Sequence, residues 1–413
     1  MTRTINLRIS MDSIWFGLLV LYVVSGYIAH DVLLPTSFNS IALYAFLGYS
    51  VFAILCKGKI KGNPLIGWGV AFLGVSFIAM LYSREFAVLD GTYYALIVNF
   101  ILVFFLTQMS WNKKRFNLVM KAFVVSAALL ILVLAMTGNL EDESGRLGTE
   151  VMGNANTLAF KLTVGAMYAM WLLLSDESKK TKLLILVSLI IIYFGMFLSG
   201  GRKFVVAPVI FLYFLLLYKV DKRGRKHFIR NTVIIAAVAI LLYLLIMEVP
   251  FFYETIGYRF DGFLAFFDEG AKADGSTVVR AKMIEAGWEK WPETPIFGHG
   301  FDNYKYYNLT SVTGNLYYSH NNFIELLYNQ GLVGFIMYYS MYAYLFIKAW
   351  KIKGNSLYKG FVIGGIVTWL FFEYFAVTYS ETPVQFMLFF CMYCLINGEN
   401  ESLRANLEQV EGR

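Results

Sequence analysis

The run "LLILVSLIIIYFGMFLS", residues 183–199, decides the fold class of this chain. It carries no charged residue and is long enough to cross a bilayer as an α-helix, for which about 17 to 25 mainly apolar residues are needed. The basic segment "KKTK" (179–182) precedes it, and the glycine-rich turn "SGGRKF" (199–204) leads from it into the next apolar run. This stretch therefore predicts a membrane-spanning helix between a basic end and a tight turn.

Similar runs recur along almost the whole chain. Of its 413 residues, 58% are hydrophobic and only 15% are charged, against about 25% charged residues in a typical soluble domain. The apolar runs lie at 13–30, 39–56, 65–82, 92–109, 117–137, 157–174, 183–199, 204–218, 232–249, 331–350, 359–378 and 384–397. We predict an all-α, polytopic integral membrane protein with about 12 transmembrane helices. The expected organisation is helices 1–9 within 1–249, a large helical loop at 250–330, helices 10–12 within 331–397 and a tail at 398–413.

The basic residues alternate between the loops. Cytoplasmic loops of membrane proteins collect Lys and Arg, and the basic segments at 57–61, 112–115, 179–182, 219–230 and 348–353 all fall on the same side if the N-terminus is cytoplasmic. This pattern predicts that both termini are cytoplasmic and that the loop 250–330 faces outward. The net charge of +7 is then explained by this topology, with membrane lipids around the helices, and no nucleic acid partner is required.

Several function classes are excluded by what the loops lack. The predicted cytoplasmic loops are too short to fold a nucleotide-binding domain of ordinary size. The sequence has no P-loop, no glycine-rich dinucleotide fingerprint and no Asp-x-Asp pair for a metal–nucleotide, and its three cysteines form no zinc or disulfide pattern. We therefore expect no cofactor and no metal. An enzyme of this kind would find its activated substrate in the membrane or on the outer side.

The loop 250–330 contains an unusual arginine. Residues 275–291 read as a helix capped near Ser276 or Thr277 and ended before Pro292. At 100° per residue, Arg280 falls in the middle of an apolar face. That face consists of Met283, Ile284, Gly287, Trp288 and Trp291. The guanidinium either snorkels to water or points inward to an anion, and we favour the second interpretation.

Other charged residues lie where topology does not explain them. Arg202 and Lys203 form a basic pair in the predicted outer turn, where they contact either headgroups or a bound anion. Arg259 is a third outer arginine. Lys161 lies about one turn inside the sixth span and Glu373 in the outer part of the eleventh. Charges inside a membrane are functional candidates, although these two would also be explained by pairing with each other or with an arginine.

The segment "SHNNFIELLYNQGLVG" (319–334) contains one of only four histidines and precedes the tenth span. His320 is either a packed or helix-capping residue, or a group that meets a polar substrate at the membrane surface. Asn321 and Asn322 would bind sugar hydroxyls or cap the helix. We interpret His299, between two glycines, as a loop residue, and His30 and His227 as structural or solvated.

These residues together resemble a known family. The pattern from Arg280 through "PETPIFGHGFDNY" (292–304) to "HNNFIELLYNQGLVG" (320–334) is similar to the O-antigen ligase and O-antigen polymerase superfamily. The segment "GRLGTEVMGNANTLAF" (145–160), which contains Asn156, is similar to the family's stretch before a mid-chain span, with alanine where proline is usual. The turn carrying Arg202 matches the family's arginine turn, with glycine where serine commonly precedes the arginine.

The resemblance implies a metal-independent, inverting glycosyltransferase of the bacterial cytoplasmic (inner) membrane with its active site on the extracytoplasmic side. Such enzymes move a glycan from undecaprenyl diphosphate to a hydroxyl group. The acceptor is another lipid-linked repeat unit in a polymerase, and lipid A core or another cell-surface acceptor in a ligase; we favour the polymerase. The expected catalytic residues are His320, Arg280 and Arg202. The expected substrate-binding residues are Arg259, Lys203, Asn321, Asn322, Asn156 and Lys161.

A transporter or flippase of lipid-linked oligosaccharides is the rival from a different class. Transporters place their sites near the bilayer midplane between repeated halves. This chain shows no obvious internal repeat and concentrates its unusual polar residues in one late loop. The sequence therefore favours glycan transfer over transport.

Overall fold

The structure is a computed structural model that describes residues 10–29, 34–137, 146–219, 225–258, 260–261, 275–354 and 356–411. Its long helices are α1 (Met11–Ile28), α2 (Ser37–Lys57), α3 (Pro64–Met80), α4 (Gly91–Gln108), α5 (Lys113–Met136), α6 (Ala155–Leu174), α7 (Lys179–Leu198), α8 (Arg202–Tyr218), α9 (Arg225–Glu248), α10 (Gly275–Lys290), α11 (Asn322–Lys351), α12 (Leu357–Phe375) and α13 (Thr382–Glu411). Short helical turns at Thr149–Met152, Pro250–Phe252, Tyr253–Gly257, Trp291–Glu293, Tyr304–Tyr307 and Asn308–Val312 complete the described elements.

The all-α prediction is confirmed, since the described residues form no strand. Each predicted apolar run overlaps one long helix, and α10 is the additional helix of the late loop. Seven of the described helices are long and apolar enough to span a membrane: α1, α2, α4, α5, α6, α7 and α11. An eighth is added if Thr232–Glu248 and Pro250–Gly257, which meet at 88°, count as one span. The structure is thus consistent with a polytopic membrane protein, and the count of twelve spans stays a prediction.

The helix surfaces have the apolar character that lipid requires. Leu55, Leu184 and Leu241 are 75%, 68% and 65% exposed, and many other large apolar side chains on these helices are exposed with them. Soluble monomers rarely carry large contiguous apolar surface. The exposed leucines therefore agree with helices that contact hydrocarbon.

The described chain divides into two compact units. Unit 1 comprises Met1–Gly62 and Phe104–Gly195, and unit 2 comprises Asn63–Val103 and Met196–Arg413. In unit 1, α1 packs against α2 and α5, and α5 packs against α6. In unit 2, α12 packs against α8, α11 and α13, and α3 and α10 pack against α11.

Helix α11 is interrupted at Gly331, whose φ of 63° and ψ of −163° are open essentially to glycine alone. The interruption removes helical partners from backbone groups on both sides of it. The segment 295–300 replaces those partners with four backbone hydrogen bonds. They run from His299 N to Tyr328 O (2.7 Å), Gly300 N to Asn329 O (3.0 Å), Leu332 N to Pro295 O (2.9 Å) and Val333 N to Ile296 O (3.1 Å).

Glycine is required on both sides of this contact. A Cβ atom on Gly298 would lie 2.5 Å from the backbone nitrogen of Gly331 and 2.6 Å from that of Gln330. Gly298 also has a φ of +73°, in the left-handed region that favours glycine. The two glycines therefore let segment 295–300 lie directly on the backbone of α11, and this contact fixes the start of α11 relative to the preceding loop.

Candidate functional site

Helix α10 supplies the first part of the site, and its prediction from sequence is confirmed. It runs from Gly275 to Lys290 and passes into a short 3-10 turn that contains Pro292. Met283 and Gly287, four residues apart and so on one face, are buried. Trp288, which helical periodicity assigned to the apolar face, is 56% exposed. The helix packs through a narrow stripe, and position 288 lies about 100° around the helix from it.

Arg280 is half-buried on α10, and its positive charge acts on Tyr318 and His320. One turn earlier, the hydroxyl of Thr277 lies 3.4 Å from the Nη2 atom of Arg202. Helix α10 therefore places Arg280 where its charge acts on His320, and it contacts Arg202 through Thr277.

Arg202 and Lys203 occupy the first two positions of α8, after Gly201 at the N-cap. The N-terminus of a helix carries a partial positive charge and free N–H groups, which favour a bound anion. The ammonium group of Lys203 donates to the carbonyl of Phe375 at 2.8 Å, at the end of α12. Its charge also acts on His320. The pair at 202–203 thus belongs to the same cationic region as Arg280.

His320 has an unusual backbone conformation, with a φ of +58°, which few residues other than glycine adopt. Its imidazole ring lies 4.4 Å from the ring of Tyr318, measured between centroids. Burial, together with the charges of Arg280 and Lys203, lowers the pKa of His320 from 6.5 to about 3. The imidazole is therefore neutral at pH 7 and has a free lone pair.

The cap of α11 belongs to Asn321 and not to His320. The side-chain oxygen of Asn321 accepts from the backbone N–H of Ile324 at 3.0 Å, and its side-chain amide donates to the backbone carbonyl of Tyr374 at 3.0 Å. The alternative in which His320 caps the helix is wrong. Of the two roles considered for Asn321, the structure shows capping.

Asn322 is fully buried and ties the start of α11 to the segment after α12. Its side-chain oxygen accepts from the backbone N–H groups of Thr378 and Tyr379 at 3.0 and 3.1 Å. Its amide donates to the Tyr339 hydroxyl at 3.0 Å. Both asparagines therefore hold the backbone on the C-terminal side of His320.

Glu373 is buried in unit 2, and its Oε1 atom accepts hydrogen bonds from three hydroxyl groups. The donors are Tyr338 and Tyr342, each at 2.8 Å, and Thr378 at 3.2 Å. These bonds connect Glu373 to hydroxyl groups, where the sequence had suggested Lys161 or an arginine. Thr378 links this cluster to Asn322.

Two predicted substrate-binding residues lie in unit 1. Lys161 donates through its ammonium group to the carbonyl of Gly26 at 2.6 Å. The side-chain oxygen of Asn156 accepts from Arg146 at 3.2 Å. The structure brings Arg202, Lys203, Arg280 and His320 together in unit 2.

The remaining predicted residues divide into two cases. His299 stacks on Tyr328 with ring centroids 4.4 Å apart, and its Nε2 atom lies 3.1 Å from the carbonyl of Lys290. This agrees with its interpretation as a loop residue. Arg259 and His30 lie outside the described residues, and so does the side chain of His227.

Two residues near the site were not singled out from the sequence: Tyr318 beside His320, and Glu325. Thr277 was predicted only as a candidate helix cap, and the structure places its hydroxyl beside Arg202. Glu325 is 1% exposed, and its carboxylate accepts from the backbone N–H of Ser319 at 2.8 Å. A carboxylate within the otherwise apolar stretch "FIELL" was the available signal, since acids are almost never fully buried unless they are paired.

Comparison with known proteins was consistent with this geometry. No curated protein gave a significant match to the chain. A family model described as O-antigen ligase matches residues 185–339, a range that includes Arg202, Arg280 and His320. Residues 185–339 are therefore similar to O-antigen ligases, and the resemblance to the O-antigen ligase and polymerase superfamily that the sequence predicted is confirmed.

Proposed function

We propose that this protein transfers a glycan from an undecaprenyl-diphosphate-linked donor to the hydroxyl group of a second lipid-linked repeat unit. The single observation that carries the proposal is the half-buried, neutral imidazole of His320 beside the cations Arg280 and Lys203. A cationic group for a diphosphate and a base for a hydroxyl are the two functions that such a transfer requires.

The cations act on the donor. When the bond between the anomeric carbon and the diphosphate breaks, negative charge grows on the phosphate oxygen. Prepositioned cations in a site of low dielectric stabilise that charge as it develops. The guanidinium groups of Arg202 and Arg280 can each hold phosphate oxygens through two hydrogen bonds, and Lys203 adds a third positive charge. In this proposal the chemistry proceeds without a metal ion.

His320 acts on the acceptor. The acceptor oxygen attacks the anomeric carbon from the face opposite the diphosphate, its proton passes to the imidazole, and undecaprenyl diphosphate departs with the electrons of the broken bond. A base works best when its pKa lies near the operating pH. Burial is the largest cause of the lowered pKa of His320, and the cations Arg280 and Lys203 add to it. Two bound phosphate charges would offset these cations. Donor binding would thus strengthen the base.

The other predicted residues take supporting roles in the proposal. Lys203, Arg259, Asn156 and Lys161 contact the donor or acceptor. Asn321 and Asn322 hold the backbone that carries His320, because their amide groups are already bonded to protein atoms.

We place the enzyme in the bacterial cytoplasmic membrane with this site on the outer side and both termini in the cytoplasm. One set of contacts in unit 1 supports the orientation: Asp12, at the start of α1, pairs with Lys57 at 2.9 Å and with Arg115 at 3.1 Å. These contacts bring basic residues of two predicted cytoplasmic loops to the same end of the unit, as the positive-inside rule requires.

The acceptor separates two closely related activities. The family description, O-antigen ligase, favours a ligase that uses lipid A core or another cell-surface acceptor. Purified protein in lipid nanodiscs should be given the donor alone and then donor with lipid A core. Products that lengthen by whole repeat units with donor alone identify a polymerase, and a product that forms only with lipid A core identifies a ligase.

The test of the chemistry is His320→Ala in the same assay. Loss of the base should lower the transfer rate by about 10²- to 10⁴-fold and leave donor affinity nearly unchanged. His320→Gln and His320→Asn should be equally slow, since an amide cannot accept the proton. His299→Gln is the matched histidine control. An active His320→Asn protein would remove the chemical role of this residue, and glycan movement only under an ion gradient would favour transport.

A further inference from the structure

A buried carboxylate is bonded to the residue that precedes the histidine. Glu325, in the first turn of α11, is 1% exposed. Its Oε2 atom accepts from the backbone N–H of Ser319 at 2.8 Å, and its Oε1 atom accepts from the side-chain amide of Asn329 at 2.9 Å. Ser319 immediately precedes His320, so the carboxylate is bonded to the backbone next to the proposed base.

Asn329 extends this chain of hydrogen bonds to the neighbouring loop. Its side-chain oxygen accepts from the backbone N–H of Tyr304 at 2.8 Å. The order is therefore Ser319 N–H, Glu325, Asn329 and Tyr304 N–H. The backbone N–H groups of Ser319 and Tyr304 are donors, so the side chains of Glu325 and Asn329 must each offer them an acceptor oxygen. In the contact between the two side chains, one must then donate and the other accept.

The backbone around His320 is held on both sides. Glu325 fixes Ser319, and the Ser319 hydroxyl donates to the carbonyl of Asn321 at 2.8 Å. Asn321 is itself fixed as the cap of α11. Between these fixed neighbours His320 has a φ of +58°. A non-glycine residue in this region is strained and persists only where the surroundings impose it.

We propose that Glu325 is a positioning residue, which through Ser319 holds His320 in the left-handed conformation that places its imidazole beside Arg280 and Lys203. This inference rests on the proposed transfer reaction. Glu325 contacts neither substrate in the proposal. Its effect on the rate passes through the backbone of His320.

Hydrogen-bond order gives a strict test, because Glu and Gln, like Asn and Asp, have nearly the same shape. Glu325→Gln sets two amide donors against each other, and Asn329→Asp sets two carboxylate acceptors against each other. The double variant E325Q/N329D restores the order. Its amide at position 325 would accept from Ser319 and donate to the new carboxylate at position 329, which would also accept from Tyr304.

The expected result is measured as kcat and donor KM in nanodiscs. Each single variant should lower kcat by about 10²-fold, as misplacement of a catalytic group by about 1 Å does, with donor KM nearly unchanged. The double variant should recover kcat to within a few-fold of the wild-type value. Glu325→Gln with wild-type kcat overturns the inference. A folded double variant that stays as slow as Glu325→Gln also overturns it, because the charge at 325 and not the hydrogen-bond order would then matter.

A second measurement separates positioning from general stability. If Glu325 acts through His320, adding Glu325→Gln to His320→Ala should cause no further loss of rate, since residues that act as one unit are not additive. An equal further loss would show that Glu325 acts elsewhere and overturn the inference. Failure of the wild-type protein to transfer any glycan would instead refute the proposed function, so the two failures are distinguishable.

Discussion

Replacing Gly298 with alanine tests whether the contact between segment 295–300 and the break in α11 holds the site together. A Cβ atom at this position would lie 2.5 Å from the backbone nitrogen of Gly331 and 2.6 Å from that of Gln330. These are backbone atoms, which cannot rotate away as a side chain does. The alanine is accommodated only if segment 295–300 moves off α11.

Gly314 provides a matched control in the same loop. It has the same φ of +73°, but apart from its own chain neighbours no atom of the described residues lies within 4 Å of the position that its Cβ would occupy. Both substitutions therefore carry the same left-handed strain, about 1 to 2 kcal/mol. Only Gly298→Ala adds the loss of the four backbone hydrogen bonds that connect 295–300 with 328–333. At about 0.5 to 1.5 kcal/mol each, these bonds contribute about 2 to 6 kcal/mol.

Hydrogen–deuterium exchange on peptides covering 295–301 and 328–334 measures this difference. About 1.4 kcal/mol corresponds to a tenfold change in an equilibrium constant. The protection factors of these two peptides should therefore be about 30-fold to 10⁴-fold lower in Gly298→Ala than in Gly314→Ala. The transfer rate should fall with it, because α11 begins beside His320. Equal protection in the two variants would refute the docking role of this contact.

Four further predictions concern the chemistry and the topology. The pKa of His320 is lowered to about 3 by burial and by nearby cations, so the base stays neutral above that value and kcat/KM should be flat from pH 7 to about pH 5. The fall of kcat at acid pH should occur at higher pH than the fall of kcat/KM, because the diphosphate bound in the complex offsets Arg280 and Lys203. If kcat and kcat/KM fall at the same pH, this expectation is contradicted. Arg280→Lys and Arg202→Lys should each lose most of the transfer activity, because lysine cannot form the two parallel hydrogen bonds of a guanidinium group. Lys282→Ala, at an exposed position, should keep its activity. An active Arg280→Lys protein would indicate that the Arg280 side chain extends to water and does not bind an anion. Transfer should survive EDTA, and activity restored by Mg²⁺ would indicate another enzyme class. Lys305→Cys should be labelled only from outside, and labelling only from the cytoplasm would refute the outward loop.

The amino-acid sequence by itself predicted the helices and the identity of the cationic residues. Long apolar runs form helices because hydrocarbon offers no partner for backbone N–H and C=O groups, so local composition is enough to locate them. Helix α10 was predicted for a similar reason, since the proline at its end acts within a few residues, whereas Ser276 and Thr277, which were expected to cap it, lie inside the helix. Arg202, Arg280 and His320 were identified from motif spacing.

The tertiary structure decided the environment of those residues, and several local expectations failed for that reason. Trp288 was predicted on the apolar face of α10, yet it is 56% exposed, whereas Met283, Ile284 and Gly287 pack against α11. The cap of α11 belongs to Asn321, since the backbone of His320 is turned into the left-handed region.

Other features depend on contacts between residues far apart in the sequence. Gly331 breaks α11 without loss of backbone hydrogen bonds because segment 295–300, some thirty residues earlier, supplies the missing partners. Glu325 is tolerated in the interior because Ser319 and Asn329 donate to it, and Asn329 is oriented by Tyr304. Hydropathy and helical periodicity describe one segment at a time. The pairing of buried donors and acceptors is settled only when separate segments pack against each other.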